Sequence, residues 1–146
     1  MTNTESIQFE FWKNFKDYVV NRRSKTCLDY YVEPKPRLYI NVKIPNEPSI
    51  RVALKRYASR SKKISVEFYI TNNMRLYKRF YESKAQFEDL IDMGVHWEPL
   101  PESPDSRIRS YKYVENIADV KIQEELFEWL ISTSEKFFIA YSRIII

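Results

Sequence analysis

The stretch RLYKRFYESKAQFEDLIDM (residues 75 to 93), then Gly94, then VHWEPL (residues 95 to 100) decides the fold. Leu76, Phe80, Phe87, Leu90 and Ile91 fall on one stripe, which predicts a helix of about five turns with its inner side on a core. Gly94 is the chain's only glycine. Its place at the end of the periodic segment predicts a left-handed C-cap, where a side chain would clash. The short aromatic run that follows reads as a strand, so Gly94 marks a helix-to-strand crossover. A single glycine also excludes a glycine-rich phosphate loop, a dinucleotide fingerprint and a nucleophile elbow.

Upstream of the crossover, residues 7 to 22 read as a helix, with Phe11, Trp12, Phe15, Tyr18 and Val19 on one stripe and Thr4 as its cap. Pro34 and Pro36 predict an irregular crossing over residues 23 to 37. Three segments then alternate with period two: Leu38, Ile40, Val42 and Ile44; Ile50, Val52 and Leu54; Ile64, Val66, Phe68 and Ile70. The connections, residues 45 to 49 and 58 to 63, are short enough for hairpins, which predicts an antiparallel meander packed on one side. Downstream, strands near residues 95 to 100 and 107 to 114 flank the loop at residues 101 to 105. A last helix over residues 120 to 143 places Ile122, Leu126, Trp129, Thr133, Phe137, Tyr141 and Ile144 on one side. Phe127, Ile131 and Phe138 widen that stripe.

The expected fold is therefore a single α+β domain over residues 1 to 146, of order α-β-β-β-α-β-β-α. An antiparallel or mixed sheet is packed by three helices, and a degenerate restriction-endonuclease-like core is left open by the element order. The length suits one domain, and an aromatic share of 16% predicts a well-filled core. A formal charge of +4 is mildly basic, short of the dense excess of an obligate nucleic-acid binder. The lone Cys27 rules out an internal disulfide and a multi-cysteine zinc site. No apolar run reaches the roughly 18 residues of a membrane span, and the polar start MTNTES does not read as a signal peptide. A cytoplasmic protein without membrane attachment is expected.

If the even positions of the meander face the core, its other face carries Tyr39, Asn41, Lys43, Arg51, Lys55, Tyr57, Ser65, Glu67 and Tyr69. Cations interleaved with flat rings suit nucleic acid: charge for phosphates, rings for stacking. Arg56, Arg60, Lys62 and Lys63 extend the basic patch through the turn. The candidate nucleic-acid-binding residues are Lys43, Arg51, Lys55, Tyr57, Arg60, Lys62, Lys63 and Tyr69. The competing reading is a solvated face where tyrosines shield lysine stems, or one partly covered by the first helix.

Catalysis finds less support. A metal-dependent nuclease needs carboxylates around a divalent cation and a nearby lysine. Glu67 is a single carboxylate, Tyr69 stands where the lysine would be, and residues 49 to 57 hold no acid. His96 shares a strand side with Glu98, but two ligands make no tight site. Cys27 has basic neighbours and no evident base, so it reads as a plain thiol. No catalytic residue, metal or cofactor is expected.

Several short motifs run through the chain: Phe11-Trp12; Val66-Glu67-Phe68-Tyr69-Ile70; Leu76-Tyr77; Gly94 with Trp97 to Leu100; Ser106-Arg107-Ile108; Trp129-Leu130; and Phe137-Phe138. Together they resemble the prokaryotic family known as domain of unknown function 4268, over nearly the whole chain. The hairpin Pro45-Asn46-Glu47-Pro48 departs from it where a glycine-containing turn is expected. Such domains often resemble C-terminal parts of longer proteins with nuclease-like N-terminal halves, which implies a role near DNA. No catalytic residues carry over.

The sequence thus points to a non-catalytic binding or accessory domain, with nucleic acid or a nucleic-acid-processing protein as favoured partner. The alternative is a homo-oligomeric interaction module using the tail Ile144-Ile145-Ile146 or the aromatic helices. Third comes a cryptic metal-dependent nuclease centred on Glu67.

Overall fold

The computed structural model describes residues 2–22, 33–57, 59–117 and 119–146. Cys27 and most of the proline-containing crossing lie outside these residues. The elements are α1 (Asn3–Arg22), β1 (Tyr39–Lys43), β2 (Ile50–Arg56), β3 (Lys63–Ile70), α2 (Met74–Glu82), α3 (Lys84–Ile91), β4 (His96–Pro99), β5 (Ser106–Tyr113) and α4 (Gln123–Ile144). The fold is α+β.

The strands form one sheet in the order β1-β2-β3-β5-β4, with every neighbouring pair antiparallel. Because β4 and β3 are both antiparallel to β5, they run in the same direction. Strands that run alike need a long crossover between them, and α2 and α3 supply it. This antiparallel pairing resolves the choice between an antiparallel and a mixed sheet; it does not display a restriction-endonuclease-like core.

The four helices of the described residues lie on one side. Phe68, fully buried on β3, has its ring centroid 5.1 Å from Phe80 of α2, 6.0 Å from Phe87 of α3 and 4.9 Å from Phe137 of α4. Phe11 of α1 lies beneath the Arg56 guanidinium of β2. Phe11 and Phe15 also meet Phe127 of α4 at 5.2 and 5.5 Å. The partners of Phe68 are thus the even positions Val52 and Ile108, and the even side is the core side. Burying these rings, with the aliphatic side chains around them, stabilises the fold.

The crossover helix is broken. Ser83 interrupts it, so among the described residues four helices pack the sheet where three are expected. Positions seven apart in a straight helix are separated by about 10.5 Å along its axis. The break instead brings the Phe80 and Phe87 centroids to 5.5 Å, both against Phe68. Asn73 caps α2 by accepting a hydrogen bond from Leu76 N at 3.1 Å.

Gly94 does not cap the crossover. Asp92 takes the left-handed conformation (φ 57°) and its N–H donates to Glu88 O at 2.9 Å; Gly94 lies outside the left-handed region. Aspartate is among the side chains that tolerate this conformation best, so the helix stops before it reaches the glycine. The hairpin that lacks the expected glycine behaves alike, with Asn46 at φ 64°. At the N-terminus the cap is Thr2, not Thr4. Thr2 Oγ1 accepts from Glu5 N, and the Glu5 carboxylate accepts from Thr2 N, both at 3.1 Å, forming a capping box.

Candidate functional site

The odd positions form the other side of the sheet, and none of the described helices packs there. Cross-strand register arranges them in rows. Lys43, Arg51, Tyr69, Arg107 and Glu98 make one; Asn41, Ala53, Glu67, Arg109 and His96 the next; Tyr39, Lys55, Ser65 and Tyr111 a third. Lys63 and Tyr113 continue the array. The cations Lys43, Arg51, Lys55, Lys63, Arg107 and Arg109 outnumber the carboxylates Glu67 and Glu98.

Glu67 lies near the centre and is fully buried. Lys55 Nζ stands 2.7 Å from Glu67 Oε1, and Arg107 Nε stands 3.9 Å from Oε2. These are ion-pair contacts whose directions fall outside hydrogen-bond geometry, so both carboxylate oxygens lack a hydrogen-bond partner. Part of the expected phosphate-binding charge is thereby matched from within.

A second pair sits toward β4. The Arg109 guanidinium bonds the Glu98 carboxylate through two nitrogens, with Nη2 at 2.7 Å from Oε1. That hydrogen bonding holds the Glu98 carboxyl below its ordinary range. Burial is the largest single influence and works to lower the Arg109 pKa, but the bonds to Glu98 together with the charges of Tyr57, Tyr111 and Glu98 outweigh it and the net shift is upward. Arg109 Nη1 also donates to Tyr57 Oη at 3.2 Å. Tyr111 is pushed upward by burial first and by neighbouring Tyr57 second.

The rings carry cations. Arg51 sits 4.3 Å from the Tyr69 centroid, and Lys63 Nζ sits 4.8 and 4.5 Å from those of Tyr57 and Tyr111. Such contacts hold positive charge at a ring face and occupy one of the surfaces a base would stack on. Tyr69 Oη donates to Asp105 Oδ2 at 2.7 Å, which raises its pKa.

Of the eight sequence candidates, Lys43, Arg51, Lys55, Lys63 and Tyr69 therefore share this face, and Tyr57 joins them through its hydroxyl and ring. Arg56 does not extend the patch: it is an even position, buried on the core side over Phe11. Arg60 and Lys62 are exposed on the turn between β2 and β3, where Lys62 pairs with Glu115 at 3.3 Å. The first helix, the competing cover for this face, packs on the core side. Arg107, Arg109 and Tyr111 are additions from β5. Their alternation with Ser106, Ile108 and Ser110 is the same period-two signal that marks the meander.

Between the rows lies a hollow of about 180 Å³, lined by Tyr39, Asn41, Arg51, Ala53, Lys55 and Tyr69. A larger groove of about 620 Å³ lies against α2 and β4, where Tyr77, Tyr81 and Trp97 meet Met74 and Pro99. His96 does not pair with Glu98; its ring lies edge-on to Tyr111 at 5.1 Å. Among the described residues, no group of three His, Cys, Asp or Glu is placed to hold a metal ion, and no helix is long and apolar enough to cross a membrane.

The sequence model of a family described as a domain of unknown function, DUF4268, matches residues 7–145. No curated protein and no solved structure matches the chain.

Proposed function

The chain belongs to the family called domain of unknown function 4268, and we propose that it is a non-catalytic, cytoplasmic binding domain whose sheet face takes nucleic acid. A protein that works on nucleic acid is the related partner. One observation carries this reading: the side of the sheet free of described helices bears an excess of cations set among tyrosines. Lys43 is exposed, and Arg51 and Lys63 hold their charge over rings rather than against carboxylates. Phosphates supply the opposite charge, and contact with them requires no particular base sequence.

A cryptic nuclease draws less support, because basic side chains rather than a second carboxylate surround Glu67. An interaction module draws on the groove where half-exposed Tyr81 meets Tyr77 and Trp97. The tail offers less for that purpose, since Ile144 and Ile145 pack partly against the core and Ile146 alone is fully exposed.

A fluorescence-anisotropy titration with a labelled single-stranded oligonucleotide tests the proposal. Binding is expected at low salt and should weaken steeply toward physiological salt, because each neutralised phosphate releases counterions. No binding at low salt with protein at about 100 μM, the weak end of non-specific affinity, removes this function. A dimer mass in light scattering without ligand would then favour the interaction module.

A further inference from the structure

The hollow over Ala53 has a chemistry of its own. In the row Asn41, Ala53, Glu67, Arg109 and His96, alanine is the one side chain too short to reach above the sheet, and that leaves the space. The polar groups around it are rich in donors: the Arg51 guanidinium, the Lys55 ammonium, the Asn41 amide and the Tyr39 hydroxyl. Tyr69 turns its own hydroxyl away, to Asp105. Arg51 Nη1 donates to Thr71 Oγ1 at 3.4 Å, and Arg51 Nε is buried without a hydrogen-bond partner, a condition that costs free energy. Glu67 lies beside this hollow and holds Lys55 at 2.7 Å, which fixes the ammonium at its wall.

We propose that this hollow is a phosphomonoester subsite, occupied in a bound strand by the 5′-terminal phosphate. A monoester carries about −1.5 to −2 charge near neutral pH and three acceptor oxygens, which suits Arg51, Lys55 and the neutral donors together. An internal phosphodiester carries a single charge and is flanked by chain on both sides, so it suits the open rows better than a half-open hollow of about 180 Å³ walled by Arg51 and Lys55. The proposal deepens the nucleic-acid reading of the same face by assigning one end of the strand a place on it.

The test compares one oligonucleotide with a 5′-phosphate or a 5′-hydroxyl, by anisotropy at physiological salt. Ribose 5-phosphate and inorganic phosphate are titrated in parallel by calorimetry. The phosphorylated strand is expected to bind about tenfold more tightly, the effect of one or two charge-assisted hydrogen bonds. Ala53→Leu should erase that preference by filling the hollow. Exposed Asn41→Asp tests the same point by placing a carboxylate in the wall, without disturbing a buried position. Equal affinity for both strands overturns the subsite and leaves the nucleic-acid platform standing. Ribose 5-phosphate binding that Ala53→Leu abolishes, with neither strand bound, upholds the phosphomonoester hollow and removes the platform. Silence from every probe overturns both.

Discussion

Lys55 Nζ and Glu67 Oε1 meet at 2.7 Å across the β2–β3 ladder, on a diagonal rather than in register, and the carboxylate has no exposed surface. The partners differ in what they do alone. The Lys55 side chain is 19% exposed and can reach water, whereas that of Glu67 is 0% exposed and cannot.

Removing the lysine should therefore cost more than removing the acid. Lys55→Met leaves a buried carboxylate with Arg107 at 3.9 Å as its remaining ion-pair partner, and should destabilise by about 3 kcal/mol. Glu67→Gln leaves cations that can turn to solvent, and should cost about 1 kcal/mol. Urea denaturation of both variants checks the order; a costlier Glu67→Gln would show that the carboxylate is better solvated than its burial implies.

Metal offers an independent check on the same carboxylate. Millimolar magnesium or manganese should leave the melting temperature unchanged, because a cation at Glu67 would have to displace Lys55. A metal-dependent rise that vanishes in Glu67→Gln would revive the nuclease reading.

The glycine and the left-handed residues make an opposed pair. Gly94 lies outside the left-handed region, and a Cβ built there meets nothing within 4 Å. Gly94→Ala should be neutral or stabilise by up to about 1 kcal/mol, by restricting the unfolded chain. Glu102 has φ 62°, a conformation that costs a non-glycine residue about 1–2 kcal/mol. Glu102→Gly should recover part of that cost. Thermal melts of the two variants moving downward together would contradict this assignment of backbone conformations.

Acid should weaken the fold through Glu98 and Glu128, both held below their ordinary value of 4.5 first by hydrogen bonds, from Arg109 and Arg22 respectively. A depressed carboxylate stabilises the folded state above its unfolded pKa and loses that contribution as pH falls through the folded one. Melting temperature should thus decline as pH drops below 4.5. The gap between wild type and Arg109→Met should narrow over the same range. A gap that stays constant with pH would mean that the Arg109–Glu98 pair adds nothing through charge.

Salt dependence should separate free cations from matched ones. Neutralising Lys43 and Lys63 together should flatten the plot of log affinity against log salt by about 1.4, at roughly 0.7 for each lost single-strand phosphate contact. Lys62, opposite Glu115 at 3.3 Å, should change it less. Equal effects from all three would mean that local pairing does not govern the contacts.

Much of this architecture was legible in the chain itself. Alternation at Ile64, Val66, Phe68 and Ile70 identifies a strand and its buried face, because the side-chain period of a strand is two and water selects the side. The helical stripes of Phe11 to Val19 and Leu126 to Tyr141 follow by the same logic. Local sequence determined the elements, most of their bounds and the division of each strand into two faces. Their assembly was decided elsewhere. Neighbours in a sheet are chosen by packing between distant segments, so only the tertiary structure sets β5 beside β3 and brings Arg107 and Arg109 to the rows holding Arg51 and Lys55. The Lys55–Glu67 diagonal and the break at Ser83 that gathers Phe80 and Phe87 on Phe68 depend on the same non-local contacts. Periodicity records which side of an element meets water; it carries no information about which neighbour the other side will meet.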